Sequence, residues 1–343
     1  MNFRPSRILI TGATGSLGKV LIKRLLTTVD YQVERLVVYS RDELKQWELS
    51  QEFPESKYPC MRCFLGDIRD YDRLITALEG IDTVIHCAAL KQVPASEYNP
   101  MEFVKTNVIG TQNVVNGCLS TNVKLLVSLS TDKASAPINL YGATKLCADK
   151  LVISANNIKG FRQFRSSVVR YGNVMGSRGS VIPYFMNNRS KKVLPITDPT
   201  MTRFNITLNQ GADLVLWALE NSKGSELFVP KIPSYKITDV AEAISPSCEK
   251  KIVGIRPGEK IHEEMINASD SINTIDIGKY YVVLPPTKDL SDIILEKYKE
   301  EKLIKNIVKD GFSYSSGTNT DFLTVENIRQ LIRENLYPDF EPL

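Results

Sequence analysis

Histidine is almost missing from this chain: two occur in 343 residues, His86 and His262, and they lie far apart. The six cysteines (60, 63, 87, 118, 147 and 248) fall at irregular spacings. The one Cys-x-x-Cys, Cys60 with Cys63, has no second pair or nearby histidine to complete a tetrahedral site, so no metal centre is expected. Irregular spacing, with several thiols inside apolar segments, also argues against a disulfide framework and for reduced cysteines. No apolar run is long enough to cross a bilayer, and no charged leader precedes the first strand-like run. Charge of one sign is lacking too: 43 Lys and Arg oppose 39 Asp and Glu for a net +4, spread along the chain. That spread gives no footprint for nucleic acid, although a slight basic excess suits an anionic ligand. Internal repeats and low-complexity stretches are absent. A cytoplasmic protein without membrane or nucleic-acid partners is expected.

The remainder is ordinary for a globular chain, 43% hydrophobic and 24% charged, with enough length for one large or two intimate domains. Short β-rich runs at 8–10, 35–39, 61–65, 83–86, 124–129 and 167–171 alternate with helix-length amphipathic segments. The runs are apolar on both faces, as strands covered by helices on each side must be. A doubly wound, mostly parallel α/β sheet of Rossmann type follows. After Tyr171 the rhythm breaks into segments punctuated by Gly and Pro (176–180, 195–199, 256–260), with one regular helix at about 209–221. This predicts a nucleotide-binding domain of 1–172 plus about 204–230, and a smaller interleaved lobe of about 173–203 plus 231–343. The charged run 296–309 carries Leu303, Ile304 and Ile307 at helical spacing and predicts a solvated amphipathic helix.

Thr11, Gly12, Ala13, Thr14, Gly15, Ser16, Leu17 and Gly18 directly follow the first strand and open a helix. Gly12 permits a tight turn, Gly15 lets backbone approach a pyrophosphate at the helix N-terminus, and Gly18 lets helix and strand pack closely. Dinucleotide binding is the expected use. Which dinucleotide depends on the tip of the second strand, where a carboxylate would hold a ribose 2′-hydroxyl and a cation would favour a 2′-phosphate. Here Ser40 and Arg41 come first, Asp42 trails, and Lys45 lies one helical turn on. NADP is the expected cofactor; the plain alternative is a solvated helix start with Ser40 as its cap. Asp67 and Ile68, after the third strand, sit where a carboxylate can accept from an adenine amine, but Gly66 and Asp67 equally form a common turn.

The fifth strand ends in Ser130, Thr131, Asp132 and Lys133, and strand C-termini face the ligand crevice in this fold. Eight residues later Tyr141 and Lys145, four apart on a helix introduced by Pro137 and Asn139, project from one face. A tyrosine ionises near ~10, so service as a base near neutrality needs a drop of about three units, or ~4 kcal/mol of differential stabilisation. The Lys145 ammonium and a cationic nicotinamide are the candidate sources. A surface Tyr and Lys pair is the plain alternative.

Thr-Gly-x-x-Gly-x-x-Gly with Tyr-x-x-x-Lys resembles the extended short-chain dehydrogenase/reductase superfamily. Further strings are similar to the inverting UDP-N-acetylglucosamine 4,6-dehydratases over nearly the whole chain: Tyr-Ser-Arg-Asp-Glu-Leu-Lys-Gln at 39–46, Ala-Ala-Leu-Lys at 88–91, Glu-Tyr-Asn-Pro at 97–100, Ser-Thr-Asp-Lys at 130–133, Pro-Ile-Asn-Leu-Tyr-Gly-Ala-Thr-Lys at 137–145, Arg-Tyr-Gly-Asn at 170–173, Gly-Ser-Arg-Gly-Ser at 176–180, Met-Thr-Arg-Phe at 201–204 and Gly-Ile-Arg-Pro-Gly-Glu-Lys at 254–260. The resemblance implies a tightly held NADP, reduced and reoxidised within one turnover, and a homo-oligomer that is hexameric or built from dimers. By family position, Tyr141 takes the sugar 4-hydroxyl proton, Lys145 assists it and binds the ribose, Lys133 removes the C5 proton, Asp132 protonates the departing C6 hydroxyl, and Thr131 joins them. Retaining 4,6-dehydratases carry glutamate after Thr-Asp, so Lys133 argues for inversion at C5. Lys133 must then be neutral and Asp132 protonated, the reverse of their states in water, and burial disfavours both charges.

The same resemblance places Cys87, Ala88, Ala89 and Val174 beside the cofactor and Lys91 and Asn173 at the sugar. Arg203 and Arg256 would meet the diphosphate and Glu259 a hydroxyl, with Arg178 and Thr197 as further substrate contacts. Cys87, where alanine is usual, and Gln92, where histidine often stands, depart from the pattern. Two alternatives stay open. A UDP-sugar 4-epimerase needs Tyr141 and Lys145 but no acid and base at 132 and 133. A non-catalytic NADP-binding scaffold needs none of the four.

Overall fold

The computed structural model describes residues 4–28, 31–177 and 179–343. Six of its strands, β1 (Arg7–Thr11), β2 (Arg35–Ser40), β3 (Met61–Leu65), β4 (Thr83–His86), β5 (Leu125–Thr131) and β6 (Arg165–Tyr171), lie in the order β3-β2-β1-β4-β5-β6, all parallel. The order reverses between β1 and β4, and the doubly wound topology read from the sequence is found. Strand 227–230 continues the sheet parallel to β6. The buried runs of β1, β2, β4, β5 and β6 are covered on both faces by helices. β3 departs from that pattern: it is the edge strand, and only Met61 of its five residues is buried.

Register brings the chemistry to one rim. Thr11 pairs with Tyr39 and His86, His86 with Ser128, and Thr131 with Tyr171, so the C-terminal tips of five strands open on one crevice. His86 is fully occupied holding that rim: Nδ1 meets Thr11 Oγ1 at 2.8 Å and Nε2 meets Thr111 Oγ1 at 3.0 Å. Burial, assisted by the Lys145 charge, pushes it down to about 3, so it stays neutral.

Beyond strand 227–230 the chain turns back. Strands 280–283, 274–276 and 306–307 add antiparallel and complete a sheet of ten strands. The interleaving therefore differs from the division expected at residue 231, because 274–307 close the open edge of the large sheet and pack on its core through Ile275, Tyr280, Val282, Ile294 and Tyr298. The regular helix expected at about 209–221 is Leu208–Asn221, capped by Thr207 and Gln210. The charged segment is divided differently from the sequence reading: the helix is Lys288–Glu300, Lys302 adopts φ +53°, and Asn306 and Ile307 form the edge strand. The left-handed turn breaks the helical spacing that Leu303, Ile304 and Ile307 suggested.

A second core gathers Met175, Ile182, Phe185, Leu194, Ile196, Val240, Ile244, Ile328 and Phe340. Around it stand a three-stranded sheet (173–174, 202–206, 234–236), a parallel pair (193–196 with 249–252) and helices 181–188, 237–244 and 325–335. This lobe overhangs the strand tips.

Candidate active site

The lobe and the strand tips enclose a cavity of about 1160 Å³. Its wall takes in every residue given a catalytic, cofactor or substrate role from the sequence except Arg178, which lies outside the described residues.

At one end the glycine turn forms a cradle. Gly12 adopts φ +63°, and a Cβ there would stand 2.8 Å from the Cα and N of Ala88. At Gly18 a Cβ would fall 2.3 Å from the Ala13 carbonyl oxygen, so helix Ser16–Thr27 can close on the turn that follows β1 only with glycine at that place. Gly15 caps this helix without a side-chain hydrogen bond, and the first turn has no acidic residue, leaving its N–H groups and positive dipole end for an anion. These features fit a dinucleotide pyrophosphate. Thr14 and Ser40 join through their hydroxyls at 3.0 Å, and Ser40 Oγ accepts from Asp42 N at 3.2 Å. Asp42 caps the helix Glu43–Glu52 and pairs with Lys45, while the exposed Arg41 lies 3.6 Å from Asp67. Asp67 also accepts two hydrogen bonds from the Arg69 guanidinium; burial opposes its charge, but Arg69 and Arg41 outweigh that and hold the carboxyl below its usual range.

The reacting end is built on the last residues of β5 and the helix Leu140–Ile158. Asn139 starts that helix by accepting from Gly142 N at 2.8 Å, which fixes the angle at which Tyr141 and Lys145 enter the cavity. Asp132 is 1% exposed; its Oδ1 accepts from Thr131 Oγ1 at 3.0 Å and from Lys133 Nζ at 3.1 Å. Its Oδ2 is buried without a partner, under Gly172, where a Cβ would stand 3.3 Å away. Burial pushes the Asp132 carboxyl up, and Glu263 adds to this against the pull of Lys133. Burial also raises the Tyr141 hydroxyl, to about 12 despite the pull of Lys133 and a hydrogen bond with Thr131. Lys145 donates to the Leu129 carbonyl at 2.7 Å, and burial lowers its ammonium.

Lys133 does not follow the sequence reading. Burial disfavours its ammonium, but Asp132 and Glu263, the latter 3.0 Å from Nζ, together outweigh burial and raise it above the usual lysine range. Glu263 was not foreseen: it comes three residues after the Gly-Ile-Arg-Pro-Gly-Glu-Lys string, beside a second glutamate, and nothing in that spacing says which of the two turns inward. Asn107 was also missed. It lies in a short π-helical turn, 104–109, and clasps Leu90 through N–H and carbonyl at 2.8 and 2.9 Å, positioning the 88–91 segment.

Arg256, at the cavity mouth, is exposed and pairs with Glu259. Arg203 is buried, and its two Nη atoms donate to the carbonyls of Thr202, Ile261 and Lys260. Thr197 donates to Met201 Sδ at 3.2 Å. Lys91 faces the cavity, and burial lowers its ammonium. Asn173 Oδ1 and Glu259 Oε2, like Asp132 Oδ2, are buried acceptors with no donor among the described residues.

Residues 8–285 match the polysaccharide biosynthesis protein family. The chain belongs to that family. It is 49% identical to the UDP-N-acetylglucosamine 4,6-dehydratase (inverting) of Campylobacter jejuni over 96% of this chain and 98% of that protein. It is also 36% identical to a UDP-glucose 4-epimerase of Rickettsia massiliae over 96% of each. Among solved structures, Pen from Bacillus thuringiensis superposes with a TM-score of 0.86 at 35% identity, over 97% of this chain and 99% of that one. The resemblance to inverting dehydratases drawn from the sequence is borne out by the first relative, and the Rossmann-type extended fold by the last. No helix of the described residues is long and apolar enough to cross a membrane.

Proposed function

We propose that this member of the family dehydrates UDP-N-acetylglucosamine across C5 and C6 with inversion at C5, giving UDP-2-acetamido-2,6-dideoxy-β-L-arabino-hexos-4-ulose. The observation that carries the reading is the Asp132 and Lys133 pair, its carboxyl buried and its amine side chain 25% exposed, side by side at the tip of β5 and in one cavity with Tyr141 and the glycine cradle. A 4-epimerase needs no such pair, and a scaffold needs no buried charges in its cavity. The partnerless acceptors Asp132 Oδ2, Asn173 Oδ1 and Glu259 Oε2 call for a ligand rich in O–H and N–H donors, as an acetamido sugar is.

The bound nicotinamide supplies a hydride acceptor at C4 and later a donor at C6. Tyr141 receives the 4-hydroxyl proton as its phenolate, a form that burial opposes and that Lys133, Thr131 and a cationic nicotinamide bound beside it would have to stabilise. With the 4-ketone formed the C5 proton becomes acidic; the Lys133 amine takes it, and the protonated Asp132 releases its proton to the C6 oxygen, which departs as water. Thr131 contacts both Tyr141 and Asp132, so the proton gained by the tyrosine has a short way back to the acid and amine, which must reprotonate C5. Arg256 binds the diphosphate; Arg203, committed to carbonyls, shapes the loop beneath it. We place the protein in the cytoplasm and read it as a homo-oligomer; the exposed Tyr98, Met101 and Ile109 on neighbouring segments support the second reading.

The test is incubation of the purified protein with UDP-N-acetylglucosamine in deuterated buffer, followed by mass spectrometry and proton NMR. Loss of water with deuterium at C5 and the arabino configuration is expected. A xylo product would sink inversion by Lys133, and unchanged substrate in the presence of NADP would sink the reading as a whole.

NADP is the proposed cofactor, because no carboxylate occupies the tip of β2 at Ser40 and Arg41 stands there exposed. Arg41→Ala is expected to weaken NADPH about tenfold or more while leaving NADH nearly unchanged, in keeping with the loss of one charge-assisted contact. Equal losses for both cofactors in a fluorescence titration would remove the 2′-phosphate assignment.

A further inference from the structure

Glu263 is 2% exposed and belongs to neither the glycine cradle nor the β5 tip, yet its Oε1 sits 3.0 Å from Lys133 Nζ and 3.7 Å from Arg203 Nε. Its backbone is pinned by Ser316: Glu263 N donates to Ser316 Oγ at 2.9 Å, and Ser316 N donates to the Glu263 carbonyl at 2.8 Å. The preceding segment is pinned by Arg203 on the Lys260 and Ile261 carbonyls and by Lys260 Nζ, which donates to Ser135 O at 2.8 Å. The carboxylate is thus built into place beside an amine that the reaction requires as a base.

We infer that Glu263 is a positioning residue for Lys133: it fixes the amine between two carboxylates and, by its charge, sets the pH range in which the Asp132 and Lys133 pair carries one shared proton. The inference rests on the dehydration reading above and deepens it.

The proton count shows why one shared proton matters. Asp132 and Lys133, 3.1 Å apart, hold one titratable proton between them, on nitrogen as ammonium and carboxylate or on oxygen as amine and acid. Passing the proton from nitrogen to oxygen gives the amine and the acid without gain or loss. In the elimination the C5–H bond breaks and its proton joins the Lys133 nitrogen; the electron pair forms C5=C6, the C6–O bond breaks, and the oxygen leaves as water with the proton from Asp132. The pair is again ammonium and carboxylate. A second proton on the pair removes the base, and loss of the last one removes the acid, so activity is bounded on both sides.

The groups facing Lys133 are Asp132 from its own segment, Tyr141 from the following helix, Arg203 and Tyr235 from the three-stranded sheet, and Glu263 from the second-lobe loop, with Lys260 acting on Glu263. Both tyrosines are raised to about 12 by burial, and the one that changes its proton in the reaction, Tyr141, does so in the C4 oxidation rather than in the exchange between Asp132 and Lys133. Of these groups Glu263 is the one anion outside the pair, and its own carboxyl, although opposed by burial, is held below its usual range by Lys133 and Arg203. A fixed negative charge favours the protonated form of each member of the pair, so it raises both limits of the bell together.

The experiment is the pH profile of kcat at saturating UDP-N-acetylglucosamine for the wild-type holoenzyme, Glu263→Gln and Glu263→Asp. For Glu263→Gln both limbs are expected to move to lower pH by about one pH unit, as loss of an adjacent charge does. The best kcat should fall about tenfold as the amine loses its fixed place, with KM within about threefold and bound nucleotide retained. Loss of rate with both limbs unmoved, or limbs moving to higher pH, overturns the inference. Glu263→Asp keeps the charge one methylene back: lower kcat with limbs near the wild-type positions is expected. A full shift in that variant overturns the inference even if Glu263→Gln does not fold. Failure of the dehydration reading is separate, since it shows as no dehydration by the wild type.

Discussion

Lys133→Ala is expected to lower kcat for dehydration by about a thousandfold or more, the range for removing a positioned general base. Tyr141, Lys145 and the glycine cradle stay in place, although Tyr141 loses the pull of the Lys133 charge, so oxidation at C4 should survive at a reduced rate. Mixing the variant with UDP-N-acetylglucosamine should therefore give a single turnover of near-ultraviolet absorbance from reduced nicotinamide, with no water lost and no deuterium at C5. The substitution also leaves Asp132 and Glu263, 1% and 2% exposed, without the cation between them. Removing one partner of a buried pair costs about 3 kcal/mol or more, so the melting temperature should fall as well. Lys133→Met, which retains the stem, separates the two effects: activity should stay lost while part of the stability returns. An epimerase would keep its turnover in either variant, and sustained formation of a 4-epimer by Lys133→Ala would falsify the assignment of the pair.

Gly12→Val should empty the cofactor site. The residue adopts φ +63°, a region that costs a β-branched side chain about 1–2 kcal/mol, and its Cβ would meet the Ala88 backbone at 2.8 Å. Backbone cannot move aside like the end of a flexible side chain. Either the turn opens and the helix N-terminus leaves the pyrophosphate, or Ala88 and Ala89 shift away from the ring. Nucleotide released on denaturing the purified variant is expected to be less than about a tenth of a mole per mole, with activity falling in proportion because the cofactor must stay through each turnover. Ligand loss and strain should also lower the melting temperature by several degrees. Wild-type occupancy in this variant would mean that the turn does not carry the pyrophosphate. Gly12→Ala meets the same backbone with a smaller group and should fall between the two.

How far the sequence reaches differs from element to element. Five of the six parallel strands were legible because each buried run is short, apolar on both faces and bounded by turn residues, which is what coverage by helices on both sides demands; β3 was read by the same rule, yet it is an edge strand with only Met61 buried. Tyr141 with Lys145, and Asp132 beside Lys133, were legible because helical spacing and a strand C-terminus are local rules. Where local rules end, the reading slips. The spacing of Leu303, Ile304 and Ile307 fits a helix, yet Ile307 lies in an edge strand, because Lys302 turns left-handed and the free edge at 274–276 takes the chain.

Arg203 and Glu263 show the same limit in the site. A guanidinium in a family string reads as a phosphate ligand, but Arg203 reaches three carbonyls from residues 202, 260 and 261 that only the folded lobe gathers. Glu263 is 130 residues from Lys133 in the chain, and the charge state of the lysine depends on that carboxylate being 3.0 Å away. The sequence by itself determined the six parallel strands, the glycine turn and the placing of Asp132 and Lys133 at one strand end and of Tyr141 and Lys145 on one helix face, since these follow from local periodicity and from residues within a few positions of each other; the roles of acid and base came with the family resemblance. The tertiary structure alone decided which charges stand unsolvated together, and so the resting protonation of Lys133, because electrostatic energy depends on distance and burial in space.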